Sequence, residues 1–305
     1  MSSTRILQPG EIESFSAEIP RLLLPDAQIF ATRAERLRRI APGHSLGDYL
    51  TFVAAIADWQ QEALATSVDR TPKLEAAHLA HCAERDVPPL APQGLIRDPG
   101  WRNQVRALAE RLAPTAPVQA QAVLERLRAG SDDWLETQAE ALLALDLDQV
   151  DIAASAILAA VLQVQWTALA RTLDPSRLAI QPTERHLCPI CGSHPSVSAV
   201  RTGGASDGLR YLVCSLCASH WYLERTKCSN CDNMRAIGYH TVENPDSAIR
   251  AESCPECRTY LKILYQTLNP DLEPTADDLA SLALDWLMSE EGYGRSGVNL
   301  MLLQG

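Results

Sequence analysis

Residues 186–196 read HLCPICGSHPS, with Cys188 and Cys191 two residues apart, a proline between them and Gly192 behind. What this pair means depends on what else the chain offers. Three more C-x-x-C pairs follow, Cys214/Cys217, Cys228/Cys231 and Cys254/Cys257, so eight of the nine cysteines are paired this way. Cys191 and Cys214 are separated by 22 residues, and so are Cys231 and Cys254; segments 188–217 and 228–257 are units of equal length, offset by 40. Two facing C-x-x-C turns present four thiolates at the corners of a tetrahedron, which suits Zn²⁺ or iron at roughly 2.3 Å from each sulfur. All eight are therefore candidate metal ligands, in two mononuclear sites. Equal spacing favours sequential pairing, 188/191 with 214/217 and 228/231 with 254/257, over an interleaved arrangement. It does not separate iron from zinc. A four-iron cluster suits such knuckles less well than a single ion.

Other readings of the cysteines are weaker. Disulfides need an oxidising compartment, and the first twenty residues, MSSTRILQPGEIESFSAEIP, lack the apolar stretch of a secretory signal. A thioredoxin-like redox pair would occur once, at a helix N-terminus in a βαβ context. The expectation is a cytoplasmic protein with reduced thiols. Each unit is too small to fold on apolar burial alone, so metal binding is expected to supply much of its folding free energy.

Composition agrees with a globular chain of 305 residues, 46% apolar and 21% charged. The formal charge of −11 is uneven: residues 181–262 sum to +1 and the remainder to −12. Phosphate neutralisation supplies most nucleic-acid affinity, so this balance argues against a nucleic-acid partner. The most apolar run, IAASAILAAVL at 152–162, is 11 residues long. That is short for a bilayer and reads as a buried helix, so no membrane insertion is expected.

Working outward, the Ala- and Leu-rich first 180 residues read as helices. DAQIFATRAERLRRIA and SLGDYLTFVAAIADWQQEALA carry helical spacings, with Ser45 expected to cap the second. RDVPPLAPQGLIRDPG is a loop, Trp101 opens a helix, Ser131 caps another, and a long helix ends near Leu173. From 186 to 266 the texture changes to short strands such as RYLVC and TYLKILYQ. One last helix is expected over about 276–289, with Thr275 and Asp278 approximating a capping box. The fold class is α+β multidomain, with the expected division 1–180 helical domain, 181–222 first four-cysteine ribbon, 223–268 second ribbon, and 269–305 C-terminal helix and tail.

The stretches CPICGSHPSVS, GLRYLVCSLCASHWYLERTKCSNC, CPECRTYLKIL and DDLASLALDWLMSEEGYGRSGVNLMLL together resemble the FdhE family of formate dehydrogenase accessory proteins. HSLGDYLTFVAAIADWQ agrees more loosely. The resemblance implies a cytoplasmic assembly factor with a helical N-terminal domain and two rubredoxin-like ribbons that bind iron. Its partner would be the immature catalytic subunit of formate dehydrogenase. All eight cysteines of the family pattern are present. A zinc-ribbon interaction scaffold without a redox role is the alternative, and a homodimer is compatible with either.

Remaining motifs are weighed individually. Trp221 and Tyr222, followed by Arg225 and Lys227, read either as an exposed client contact or as a cap on the first ribbon's core, and the cap is favoured. His186, His194 and His220 lie near cysteine pairs, but four thiolates per site leave no ligand position for them. His78 and Cys82 share a helix face, where an isolated buried thiol is the commoner outcome. GYGRSGVN around Arg295 lacks the strand–loop–helix context of a nucleotide loop and reads as a docking turn. Catalytic residues are expected to be none, and the chain reads as a non-enzyme.

Overall fold

A computed structural model describes residues 19–67, 71–178, 186–242 and 244–303. After a two-residue strand, β1 (Leu22–Leu23), the chain forms helices α1 (Ile29–Ile40), α2 (Gly47–Ser67), α3 (Ala76–Glu84), α4 (Trp101–Leu112), α5 (Val118–Ala129), α6 (Asp132–Ala144) and α7 (Ile152–Arg171). Amphipathic spacing explains them. In α4, Trp101, Val105, Leu108 and Leu112 fall three and four apart and are all buried. Ser131 caps α6 as expected, its Oγ accepting the Trp134 N–H at 3.2 Å. Ser45 does not cap α2, which begins two residues later. Instead, His44 Nδ1 accepts the Leu46 N–H at 3.0 Å.

Helix α7 is the axle of the helical part, packed against α2, α4, α5 and α6. It runs past Gln163 and Gln165 to 20 residues, long and apolar enough by length and composition to span a bilayer, yet it lies mostly buried among its neighbours. The 11-residue run understated it because Gln163 is polar but buried, with its amide fully used. Its Oε1 accepts from Gln60 and Arg33, and its Nε2 donates to the Ser215 carbonyl.

Among the described residues, the strands form one sheet. It comprises β1, β2 (Pro195–Val200), β3 (Arg210–Cys214), β4 (His220–Tyr222), β5 (Gly238–His240), β6 (Ile249–Cys254) and β7 (Thr259–Tyr265), in the order β1-β4-β3-β2-β7-β6-β5. The offset of 40 reappears in space. β2, β3 and β4 of the first unit correspond to β5, β6 and β7 of the second. The units are joined by a parallel pairing of β2 with β7, Ser198 opposite Ile263, while all other pairs on this path are antiparallel. The outer edge of β4 takes β1 from the N-terminal segment, Leu22 opposite Trp221.

The last helical segment divides in two, α8 (Pro274–Ala280) and α9 (Leu282–Glu290), followed by β8 (Gly294–Arg295) alongside β7. Thr275 is inside α8 and does not cap it. The cap is Glu273, whose Oε2 accepts the Ala276 N–H, while Asp277 Oδ2 accepts the Glu273 N–H, each at 2.7 Å. This is a reciprocal box built from two acids.

Candidate metal centres

Each C-x-x-C pair sits in a tight turn whose shape is visible in one dihedral angle. The residue after the second cysteine has a left-handed backbone in all four knuckles: Gly192 at φ 75°, Ala218 at 56°, Asp232 at 58° and Arg258 at 55°. Backbone N–H groups then turn toward sulfur. The Leu216 and Cys217 amides donate to Cys214 Sγ at 3.4 and 3.3 Å, and the Asn230 amide donates to Cys228 Sγ at 3.3 Å. Strand β3 carries Cys214 at its end, and β6 carries Cys254 at the same place.

The knuckles meet in sequence order. Cys188, Cys191, Cys214 and Cys217 converge in one cluster, and Cys228, Cys231, Cys254 and Cys257 in another, with ligand atoms within 4.8 Å of one another in each. Facing sulfurs lie 3.6 Å (188–217) and 3.4 Å (191–214) apart in the first, and 3.8 Å (228–257) and 3.7 Å (231–254) in the second. A disulfide would require about 2.05 Å, and all these thiols are free. Four sulfurs at 2.3 Å from a central ion would stand about 3.8 Å apart along a tetrahedral edge. The donor set therefore fits a tetrahedral thiophilic ion with little adjustment.

Electrostatics lead to the same conclusion. Burial pushes the Cys188 and Cys214 thiols well up from their ordinary range. Burial would raise Cys191 too, but hydrogen bonds from Cys188, Cys214, Cys217 and Ser193 hold it well below that range. In the second cluster Cys228 is pushed up by burial. Cys257 is lowered to about 6 because Thr259, Asn230 and Cys231 outweigh its burial. Four thiolates held this close together require a cation among them.

The clusters differ in their surroundings. Cysteines of the first are all buried and belong to the main apolar core, together with Leu90, Trp166 and Leu216. The helical part grips both of its knuckles. The Leu90 N–H donates to the Ile190 carbonyl at 2.8 Å, and Gln163 Nε2 donates to the Ser215 carbonyl at 2.7 Å. Behind Gln163, Arg33 pairs with the buried Glu273. In the second cluster Cys231 is exposed and Cys257 half-buried.

One feature escaped the sequence reading although a signal was present. Two positions beyond each second cysteine stands a hydroxyl or amide: Ser193, Ser219, Asn233 and Thr259. Ser193, Ser219 and Thr259 place their oxygens 3.5, 3.3 and 3.1 Å from Cys191, Cys217 and Cys257 Sγ, while Asn233 Nδ2 reaches Cys254 Sγ at 3.8 Å.

None of the three histidines joins a cluster. His186 links the units, Nδ1 lying 3.3 Å from the Ser229 carbonyl and Nε2 3.3 Å from Asp232 Oδ2. His194 is exposed and His220 buried. Trp221 is buried against the first cluster's core, as the cap reading expected, and Tyr222 packs edge-on to Tyr211 under Arg21. Cys82 Sγ lies 3.5 Å from His78 Nε2, which also lies 2.8 Å from the Pro89 carbonyl oxygen. Arg295 docks the tail through Asp278 and Asp285, and a Cβ on Gly297 would strike Leu261 and the Ser196 carbonyl, so the turn is a docking turn.

Comparison with known proteins covers nearly all of the described residues. Models described as FdhE, N-terminal, FdhE, central domain, and FdhE, C-terminal domain match residues 19–183, 187–225 and 226–302. A protein named Protein FdhE homolog from Edwardsiella ictaluri is 44% identical, over 94% of this chain and 92% of its own. A homolog of that name from Cronobacter sakazakii is 41% identical over 99% of both. The crystal structure of the FdhE protein from Pseudomonas aeruginosa superposes with a TM-score of 0.83 at 37% identity, covering 94% of this chain and 100% of that one.

Proposed function

The chain belongs to the FdhE family, and we propose that it is a cytoplasmic, non-catalytic accessory protein in formate dehydrogenase maturation. In this reading each cluster holds one metal ion, iron first and zinc as the alternative, and the protein engages the immature catalytic subunit. The observation that carries it is the convergence of eight free thiols into two tetrahedral sets of unequal exposure.

The chain's own residues divide the labour. Gln163 and the Leu90 amide hold the first cluster's knuckles inside the core, which suits a permanent staple between helices and sheet. Cys231 opens the second cluster to solvent, where a client surface can approach. Iron bound there would exchange one electron with a client without changing its ligands. Thr259 and Asn233, beside Cys257 and Cys254, are the side chains that would orient and stabilise charged sulfur during that exchange. The scaffold reading keeps a staple at both clusters and no redox role.

Anaerobic isolation with visible spectroscopy separates these. Tetrathiolate ferric iron absorbs in the visible, and zinc is colourless. Protein carrying zinc alone and still fully competent in formate dehydrogenase maturation would exclude electron exchange. Failure of the catalytic subunit to co-purify with the metal-loaded chain under any condition would remove the accessory reading itself.

A further inference from the structure

A cavity of about 380 Å³ lies where the three parts of the chain meet. Its walls come from the end of β1, one face of α1, the residues after β2, the start of β4 and the loop leading into α8. This volume is within the range of small-molecule sites.

Most charged groups around it are matched. Arg36 makes a forked pair with Asp277, Arg39 pairs with Glu35 and Asp271, and Glu273 pairs with Arg33. Asp26 accepts the Gln28 N–H. Arg201 is the exception. Among the described residues it has no carboxylate partner and its side chain makes no hydrogen bond, and its Nε is buried without a partner. Beside it, His220 is only 7% exposed, and its Nδ1 is likewise buried and unpartnered. The two are close enough to feel one another. Burial and then the Arg201 charge pull the His220 pKa down to about 3, leaving a neutral imidazole, and burial lowers Arg201 from its ordinary value.

A desolvated cation with no counter-ion is costly to keep, and a guanidinium fork matches a carboxylate in plane and spacing. Among the lining cations Arg201 alone lacks a carboxylate partner, whereas Glu35 and Asp271 share Arg39 and Asp26 has no cation among the described residues, so attraction for an anion is confined to Arg201. A dianion would also face Glu35 and Asp271, so a single negative charge fits best. The remaining wall includes Leu23, Leu24, Ile29 and Leu272. We propose that this cavity binds a monocarboxylate, its carboxylate held by Arg201 and His220 and its apolar body packed against Leu24, Ile29 and Leu272. Because the lining comes from all three parts of the chain, such a ligand clamps the helical part to the sheet and to the α8 loop.

The test is calorimetric titration of the full chain with hexanoate, hexanamide, inorganic phosphate and N-acetyl-leucyl-leucine. Saturable hexanoate binding is expected, at least 10-fold weaker for hexanamide and for phosphate. Arg201→Met should weaken hexanoate at least 10-fold while melting at or above the wild-type temperature, since it removes an unpaired cation. Thr32→Trp, at an exposed position on the cavity wall, should block hexanoate with unchanged circular dichroism and metal content, and so stands in if Arg201→Met does not fold. Tighter binding of the dipeptide than of hexanoate would support the carboxylate site and assign its source to a peptide C-terminus. No saturable carboxylate binding, equal binding by Arg201→Met and Thr32→Trp, or phosphate binding tighter than hexanoate would each overturn the proposal.

Discussion

Gly192, Ala218, Asp232 and Arg258 occupy equivalent places in the four knuckles, and three of them hold a left-handed backbone without being glycine. Non-glycine residues there cost roughly 1–2 kcal/mol. Metal binding, worth far more than this in small thiolate sites, can offset that strain. Gly192→Ala is therefore expected to cost only about 1 kcal/mol, because its Cβ would meet just Pro88 Cγ at 3.5 Å. Thermal unfolding should show a small drop, with metal content unchanged, as Ala218 already tolerates the same geometry. A variant that lost its metal would mean the first knuckle depends on more than its turn. The grouping of the eight thiols was legible from spacing, since C-x-x-C repeated at equal intervals leaves few geometries. The left-handed positions were legible only at Gly192, because Ala218, Asp232 and Arg258 carry no local mark of their conformation. The hydroxyl and amide at Ser193, Ser219, Asn233 and Thr259 were readable as a repeat once the knuckles were aligned on one another.

At the scale of elements, β7, α8, α9 and the tail are locked by one buried network. Lys262 is fully buried, with Nζ 3.1 Å from Asp278 Oδ1 and 2.5 Å from Asp285 Oδ2. Arg295 forks onto Asp278 and also reaches Asp285. Tyr260 donates its hydroxyl to Asp285 at 2.7 Å, and Asn299 donates to Asp278 at 2.7 Å. Two cations thus meet two carboxylates. Lys262→Met leaves negative charge under-compensated and is expected to cost about 3–5 kcal/mol, read by denaturant unfolding.

The same network sets an acid limit. Burial alone would raise the Asp278 pKa, but the charges of Lys262 and Arg295 hold it below the ordinary carboxylate value. Its contribution is present above the unfolded pKa of about 3.9 and is lost as pH falls through the lower folded value. Asp278→Asn should already lack that contribution at neutral pH, and its unfolding free energy should fall less than that of the wild type between pH 5 and pH 2. A parallel fall in both would place the acid sensitivity elsewhere. Sequence reading located most of the helices, since those such as α4 bury a periodic apolar face. It missed the break at Ser281, where the hydroxyl bonds back to the Asp277 and Asp278 carbonyls. It read 186–266 as short strands without singling out β2, whose Ser196 and Ser198 are buried against the alternation rule because Val213 and Glu252 accept their hydroxyls.

The whole molecule makes two repeated units unequal. Their spacings are identical, so spacing alone does not distinguish the clusters. What distinguishes them is the helical part, which reaches the first through Leu90 and Gln163, residues far away in sequence, and leaves Cys231 of the second open. The parallel β2–β7 joint, and the buried Arg210–Glu252 pair that spans it, were equally invisible, since long-range pairing leaves no local pattern. Glu252→Ala would leave Arg210 buried and unpaired. It should destabilise both units together by about 3–5 kcal/mol, as a single unfolding transition followed by circular dichroism. Two separated transitions would show that the units fold independently.

Metal stoichiometry under a competing chelator tests the central claim most directly. Anaerobically isolated protein should carry two ions per chain and release them in two phases, the fast one belonging to the exposed second cluster. Cys231→Ser combined with Cys257→Ser should abolish the fast phase and leave one slowly released ion. Fewer than two ions per chain with all eight thiols free, or release of both at one rate in the wild type, would contradict the account of two thiolate centres with different exposure.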